Sequence, residues 1–131
     1  MKFLTHYLIT LVVFFAIDIV WLSLIAKNLY SKYLGYIMTS NVNWIAALLF
    51  YLLFIVGLLV FVIEPALLTP NMTQLIFRAA LFGLITYATY DLTNLATLKD
   101  WPINITVIDL IWGTSLSTLV SVISVWIIGK L

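Results

Sequence analysis

Three aspartates stand where the chain is otherwise hydrocarbon: Asp18 in "AIDIVWLS", Asp91 in "YATYDLTNLATLKDWP" and Asp109 in "VIDLIWGT". A charged aspartate near a bilayer centre costs about 2.5–3.5 kcal/mol, and such residues mark functional sites by default. A carboxyl in that setting can hold a proton, bind a cation or work as a general acid or base. No cation stands close in sequence. Arg78 lies on the other side of the membrane from Asp91, about 20 Å along the same helix. Lys27 and Lys99 are roughly 12–14 Å along the helix from Asp18 and Asp91, and snorkel away from them. Crowded carboxylates cannot all ionise in a poor dielectric. Such a group holds protons, a bound cation, or water in a cavity.

Structural roles compete with these. Asp109 stands near the start of its helix, where unpaired N–H groups favour an anion. Asp91 has Asn94 and tyrosine hydroxyls as candidate partners. Asp18 is the deepest and lies far from either helix end. The aromatics Trp21, Tyr87, Tyr90, Trp101 and Trp112 offer faces for a cation, although Trp and Tyr populate membrane interfaces regardless. "IDIVW" and "IDLIW" repeat one local pattern, Asp-x-x-Trp, which puts both side chains on one helix face. The candidate ligand-binding set is therefore Asp18, Trp21, Tyr87, Tyr90, Asp91, Asn94, Asp109 and Trp112. Asp91 and Asp109 are the candidates for acid–base catalysis.

Composition sets the solvent these residues see. Of 131 residues, 65% are hydrophobic and only 8% charged, too few to cover a water-facing surface. The absence of cysteine excludes disulfides, iron–sulfur clusters and thiol chemistry, and a single histidine, His6, excludes a His-rich metal box. The pattern calls for no metal and no cofactor. A net charge of +1 leaves no footprint for nucleic acid.

A membrane-crossing helix needs roughly 20 apolar residues. Four stretches qualify, at about 3–26, 43–63, 75–96 and 105–128, so residues 1–131 are expected to form one all-α, four-helix transmembrane domain. The first is read as a retained span, since it is too long and too polar at Asp18 for a signal peptide. Glu64-Pro65 is expected to stop the second. The segment from Lys27 to Val42 is expected along the interface, its tyrosines at headgroup level.

Both termini fall on one side, called A. Three basic residues stand on each side: Lys2, Arg78 and Lys130 on A, Lys27, Lys32 and Lys99 on B. That balance leaves orientation open and admits an antiparallel homodimer. On a 100° wheel the third span gathers Gly83, Thr86, Tyr87, Tyr90, Asp91 and Asn94 on one arc. The fourth gathers Thr106, Asp109, Gly113, Ser117 and Ser124. The spacing Gly113-xxx-Ser117-xxx-Ser121 permits close backbone approach. The second span, nearly featureless, is expected to be a lipid-facing wall. All three aspartates fall about 6–12 Å below the side-B interface, so neighbouring first, third and fourth spans would share a pocket.

"D-x-x-W-L", "Y-D-L-T-N-L-A-T-L…W-P" and "D-x-x-W-G" together resemble a family of small bacterial integral membrane proteins catalogued as a domain of unknown function. The resemblance spans essentially the whole chain. It implies a four-span protein of the inner, cytoplasmic membrane and a polar set of Asp18, Trp21, Tyr90, Asp91, Asn94, Trp101, Pro102, Asp109 and Trp112.

Three functions fit these residues. The first is a carrier or receptor binding a small cation, proton or amphiphile in the carboxylate–aromatic pocket. Its cation affinity would fall on acidification, and Asp18→Asn would abolish that dependence. The second is an enzyme acting on a lipid or isoprenoid, with Asp91 and Asp109 as acid and base or as oxygen ligands of a divalent ion, although no D-D-x-x-D or D-x-x-D-G metal motif is present. The third is an accessory subunit of another membrane protein. In each case the bilayer itself is a partner.

Overall fold

A backbone in hydrocarbon has no water to bond, so it must satisfy its own N–H and C=O groups by coiling. The computed structural model describes residues 2–131, and its regular structure is all helical, with no strand among the described residues. Among the described residues four helices are long and apolar enough to cross a membrane: α1 (Lys2–Leu34), α2 (Trp44–Leu68), α3 (Met72–Thr97) and α4 (Ile103–Gly129). Asparagines start two of them. The Asn43 side chain accepts from the Ala46 N–H, and Asn71 from the Gln74 N–H, both at 3.1 Å. Each cap satisfies a donor that the first turn leaves orphaned, worth about 1 kcal/mol.

Two spans run past their expected ends, and a π-helical turn lies within each. In α1 the turn spans Leu22–Ala26, with the Lys27 N–H bonded to the Leu22 carbonyl. The segment after it, expected along the interface, continues the helix as far as Leu34. Leu29, Tyr30, Tyr33 and Leu34 recur at helical spacing and pack around Trp101 and Ile105. That second apolar cluster is what keeps the segment helical.

In α2 the π turn spans Leu59–Ile63, and the Glu64 N–H reaches the Leu59 carbonyl. Pro65 therefore does not stop the helix, which runs on to Leu68. A proline within a regular α-helix clashes with the carbonyl four residues back. The wider turn just before it relaxes that contact.

The expectation of a lipid-facing wall fails for α2. Its first half is exposed, Trp44 at 74% and Ile45 at 76%, but Ile55, Leu58, Leu59 and Ile63 are fully buried. With Phe14, Leu116 and Val120 they form the main core, in the side-A half of the bundle. Hydropathy could not reveal this, because lipid and a helix-packed core are equally apolar.

The most extensive helix contact joins α3 to α4, and α1 lies along the other flank of α4. Glycine makes the α3–α4 approach possible. A Cβ at Gly83 would fall on the Gly113 carbonyl and the Ser117 side chain, and one at Gly113 would fall on the Tyr87 ring. The π turn of α2 closes the bundle against α1, α3 and α4. Toward side B, between the main core and the Leu34–Trp101–Ile105 cluster, the helices leave space.

Candidate functional site

That space is a cavity of about 490 Å³. Six of the eight candidate residues line it: Asp18 and Trp21 from α1, Tyr87 and Tyr90 from α3, Asp109 and Trp112 from α4. Asp91 and Asn94 do not. Asp91 is completely buried, its carboxyl within hydrogen-bonding reach of the Asp109 carboxyl. The Asn94 amide lies beside the Tyr90 hydroxyl.

The aspartates meet different surroundings. Asp109 accepts a hydrogen bond from the Tyr30 hydroxyl. It sits six residues into α4, which begins at Ile103, beyond the first turn where the helix dipole acts. Neither oxygen of Asp91 receives an N–H or O–H from the described residues. Two carboxyls in contact cannot both stay ionised without something between them. This pair needs one shared proton or one cation. Asp18 is 5% exposed and receives no hydrogen bond from the described residues. Tyr87 stands within electrostatic reach of all three carboxyls, and Tyr51 within reach of Asp18.

No lysine or arginine among the described residues forms an ion pair with these acids. Lys32 lies instead over the Tyr33 ring at 5.3 Å, and Lys130 over the Trp126 ring at 5.4 Å. Among the described residues, the acid that does meet a basic side chain is at the other end of the bundle. His6 Nδ1 meets Glu64 Oε1 at 2.6 Å, so Glu64, expected to terminate a helix, fastens α2 to α1.

Aromatic contacts frame the cavity. The rings of Trp21 and Trp112 stack with centroids 4.2 Å apart and an interplanar angle of 8°. The two Asp-x-x-Trp segments thus meet across the α1–α4 contact. Tyr90 sits edge-on to Trp101 at 6.0 Å, and the Trp101 indole N–H donates to the Thr106 hydroxyl at 3.0 Å.

Sequence reasoning misses Tyr30, Tyr51, Phe50 and Met38, all of which line the cavity. It places Tyr30 at headgroup level instead. In an unbroken α-helix Tyr30 would point about 120° away from Asp18. The π turn absorbs one residue and brings it back to within about 20°. Tyr51 and Phe50 come from the helix expected to face only lipid. The visible signal is a tyrosine, a side chain with a polar tip, in the middle of that otherwise hydrocarbon span.

No curated protein and no solved structure matches this chain. A family model does, over residues 3–126, described as "Predicted membrane protein (DUF2177)". The match takes in all three aspartates, both stacked tryptophans and nearly the full length of the four apolar helices. The chain belongs to this family of predicted membrane proteins.

Proposed function

We propose that the protein is a multi-pass protein of the inner membrane that binds or carries a small cationic or amphiphilic ligand, exchanging it against protons. The aspartate–aromatic cavity would be its site, within the bilayer. The observation that supports this reading is a cavity with Asp18 and Asp109 on its wall, Asp91 behind them and, among the described residues, no lysine or arginine paired with any of the three. Buried negative charge without a fixed partner is costly, and a mobile cation or proton relieves that cost. The Tyr87 ring and the free outer face of the stacked Trp21–Trp112 pair add cation–π attraction, about 2 kcal/mol or more where water is excluded.

The test is equilibrium binding of tetramethylammonium to the protein in lipid nanodiscs at neutral and acidic pH. Protonation neutralises the carboxyls, so affinity should fall on acidification, and Asp18→Asn should flatten the pH dependence. Unchanged affinity and pH response in that variant would refute the reading.

A second reading rests on the Asp91–Asp109 contact. A carboxyl pair holding one proton offers both a general acid and a general base, and the apolar walls suit an isoprenoid or lipid substrate. Mass spectrometry of a lipid extract incubated with purified protein separates the two. Turnover that Asp91→Asn and Asp109→Asn both abolish would favour an enzyme.

A further inference from the structure

We propose that the ligand of this cavity is a single-chain cationic amphiphile, its head among the aspartates and its alkyl chain in a groove on the flank of the bundle. The inference rests on the ligand-binding reading above and adds the ligand's shape and its route.

A second hollow, of about 330 Å³, lies between α1 and α4. Its walls are Ala16, Ile17, Val20, Trp21, Ile25 and Trp112, so it is almost wholly apolar. Ala16, Val20 and Ile25 are exposed, so the hollow opens sideways from the bundle, where lipid would lie. Trp21 and Trp112 also line the aspartate cavity. Their stacked rings are therefore a wall common to the acidic chamber and the apolar groove, past whose edge the chain would run.

Two observations fix the kind of occupant. The groove alone cannot retain a hydrocarbon, because lipid tails meet the same surroundings in the bilayer. Binding must come from a head on the cavity side of the ring pair, where Asp18 and Asp109 lack a fixed cation among the described residues and aromatic side chains line the wall. A molecule with a cationic head and one slender chain satisfies both compartments at once. A compact cation would fill only the first.

The consequence is a dependence on chain length that a simple cation pocket lacks. If the groove is filled, a chain whose head stays in the cavity loses its sideways path to the lipid and must leave hydrocarbon. Displacing even two methylenes into water costs about ten-fold in affinity.

The experiment compares dodecyltrimethylammonium with tetramethylammonium, on wild type and on Val20→Trp, in nanodiscs. Taking the ratio of wild type to variant for each probe cancels partition into lipid. Val20→Trp should weaken the dodecyl probe by about ten-fold or more and leave the short probe within about two-fold. An equal effect on both probes, or none on either, overturns the chain placement while leaving the cation site standing. Failure of wild type to bind either probe overturns the carrier reading and this inference with it.

Ala16→Phe fills the same groove from an exposed position and serves if Val20→Trp does not fold. A measurement without any variant also decides. Dodecyltrimethylammonium brominated at the chain end should quench wild-type tryptophan fluorescence saturably. Quenching that rises only linearly, as collisions from the bilayer produce, overturns the placement.

Discussion

The Tyr30 hydroxyl donates to the Asp109 carboxylate across 79 residues of sequence. This contact ties the extended end of α1 to the fourth helix and closes one side of the cavity. It exists because the π turn at Leu22–Ala26 rotates Tyr30 onto the face of α1 that carries Asp18.

Tyr30→Phe keeps the ring packing and removes the donor. A buried hydrogen bond to a charged group contributes about 2 kcal/mol, and Asp109 would lose this O–H partner. The end of α1 should loosen more than the rest of the bundle. Hydrogen–deuterium exchange in detergent micelles should show faster exchange over residues 27–34. Unchanged exchange there would mean that the tyrosine is held by packing alone.

The Asp91–Asp109 contact makes a prediction opposite in sign to most buried substitutions. Asp91→Asn supplies an N–H that can donate to Asp109 without any shared proton or cation. Its stability should match wild type or exceed it by about 1 kcal/mol. Asp91→Ala gains no donor and leaves a void, so it should melt below both. Melting temperatures in one detergent at one pH check the order. Asp91→Asn melting below Asp91→Ala would show that the two carboxyls do not face each other.

The α3–α4 approach predicts a sharp contrast between glycines. At Gly113 a larger side chain meets the Tyr87 ring, and the facing backbone at Gly83 cannot withdraw without parting the helices. Gly113→Leu should cost about 3 kcal/mol or more, at the upper end for overpacking. It should also displace Tyr87 from the cavity. A Cβ at Gly129 would meet nothing within 4 Å, so Gly129→Ala should change stability by no more than about 0.5 kcal/mol. Thermal unfolding of both variants tests this, and similar melting points would rule out the close approach.

Much of the architecture is legible in the chain alone. Composition excludes a water-facing protein, and segment length sets the number of spans. Helical periodicity puts Gly83, Tyr87 and Asp91 on one arc of α3, and that arc meets α4. Small residues at Gly113, Ser117 and Ser121 mark the seam, since close packing in lipid requires them. The family motifs point to the residues of the site without any knowledge of how the helices pack.

Three features are products of packing. The burial of α2 is invisible in sequence because a span surrounded by lipid and one surrounded by helices need the same side chains. Tyr30 is misplaced by a plain helical wheel because a π turn shifts register by one residue, and nothing in "LSLIA" announces it. The contact between Asp91 and Asp109 depends on how α3 and α4 are rotated against each other, which close glycine packing decides. The solvent, the helices and the polar face of each are written in the residues themselves, because they follow from local chemistry and period. Which faces meet, and what space they leave, arises only when the helices assemble, because it depends on backbone register and interhelical distance that no single segment encodes.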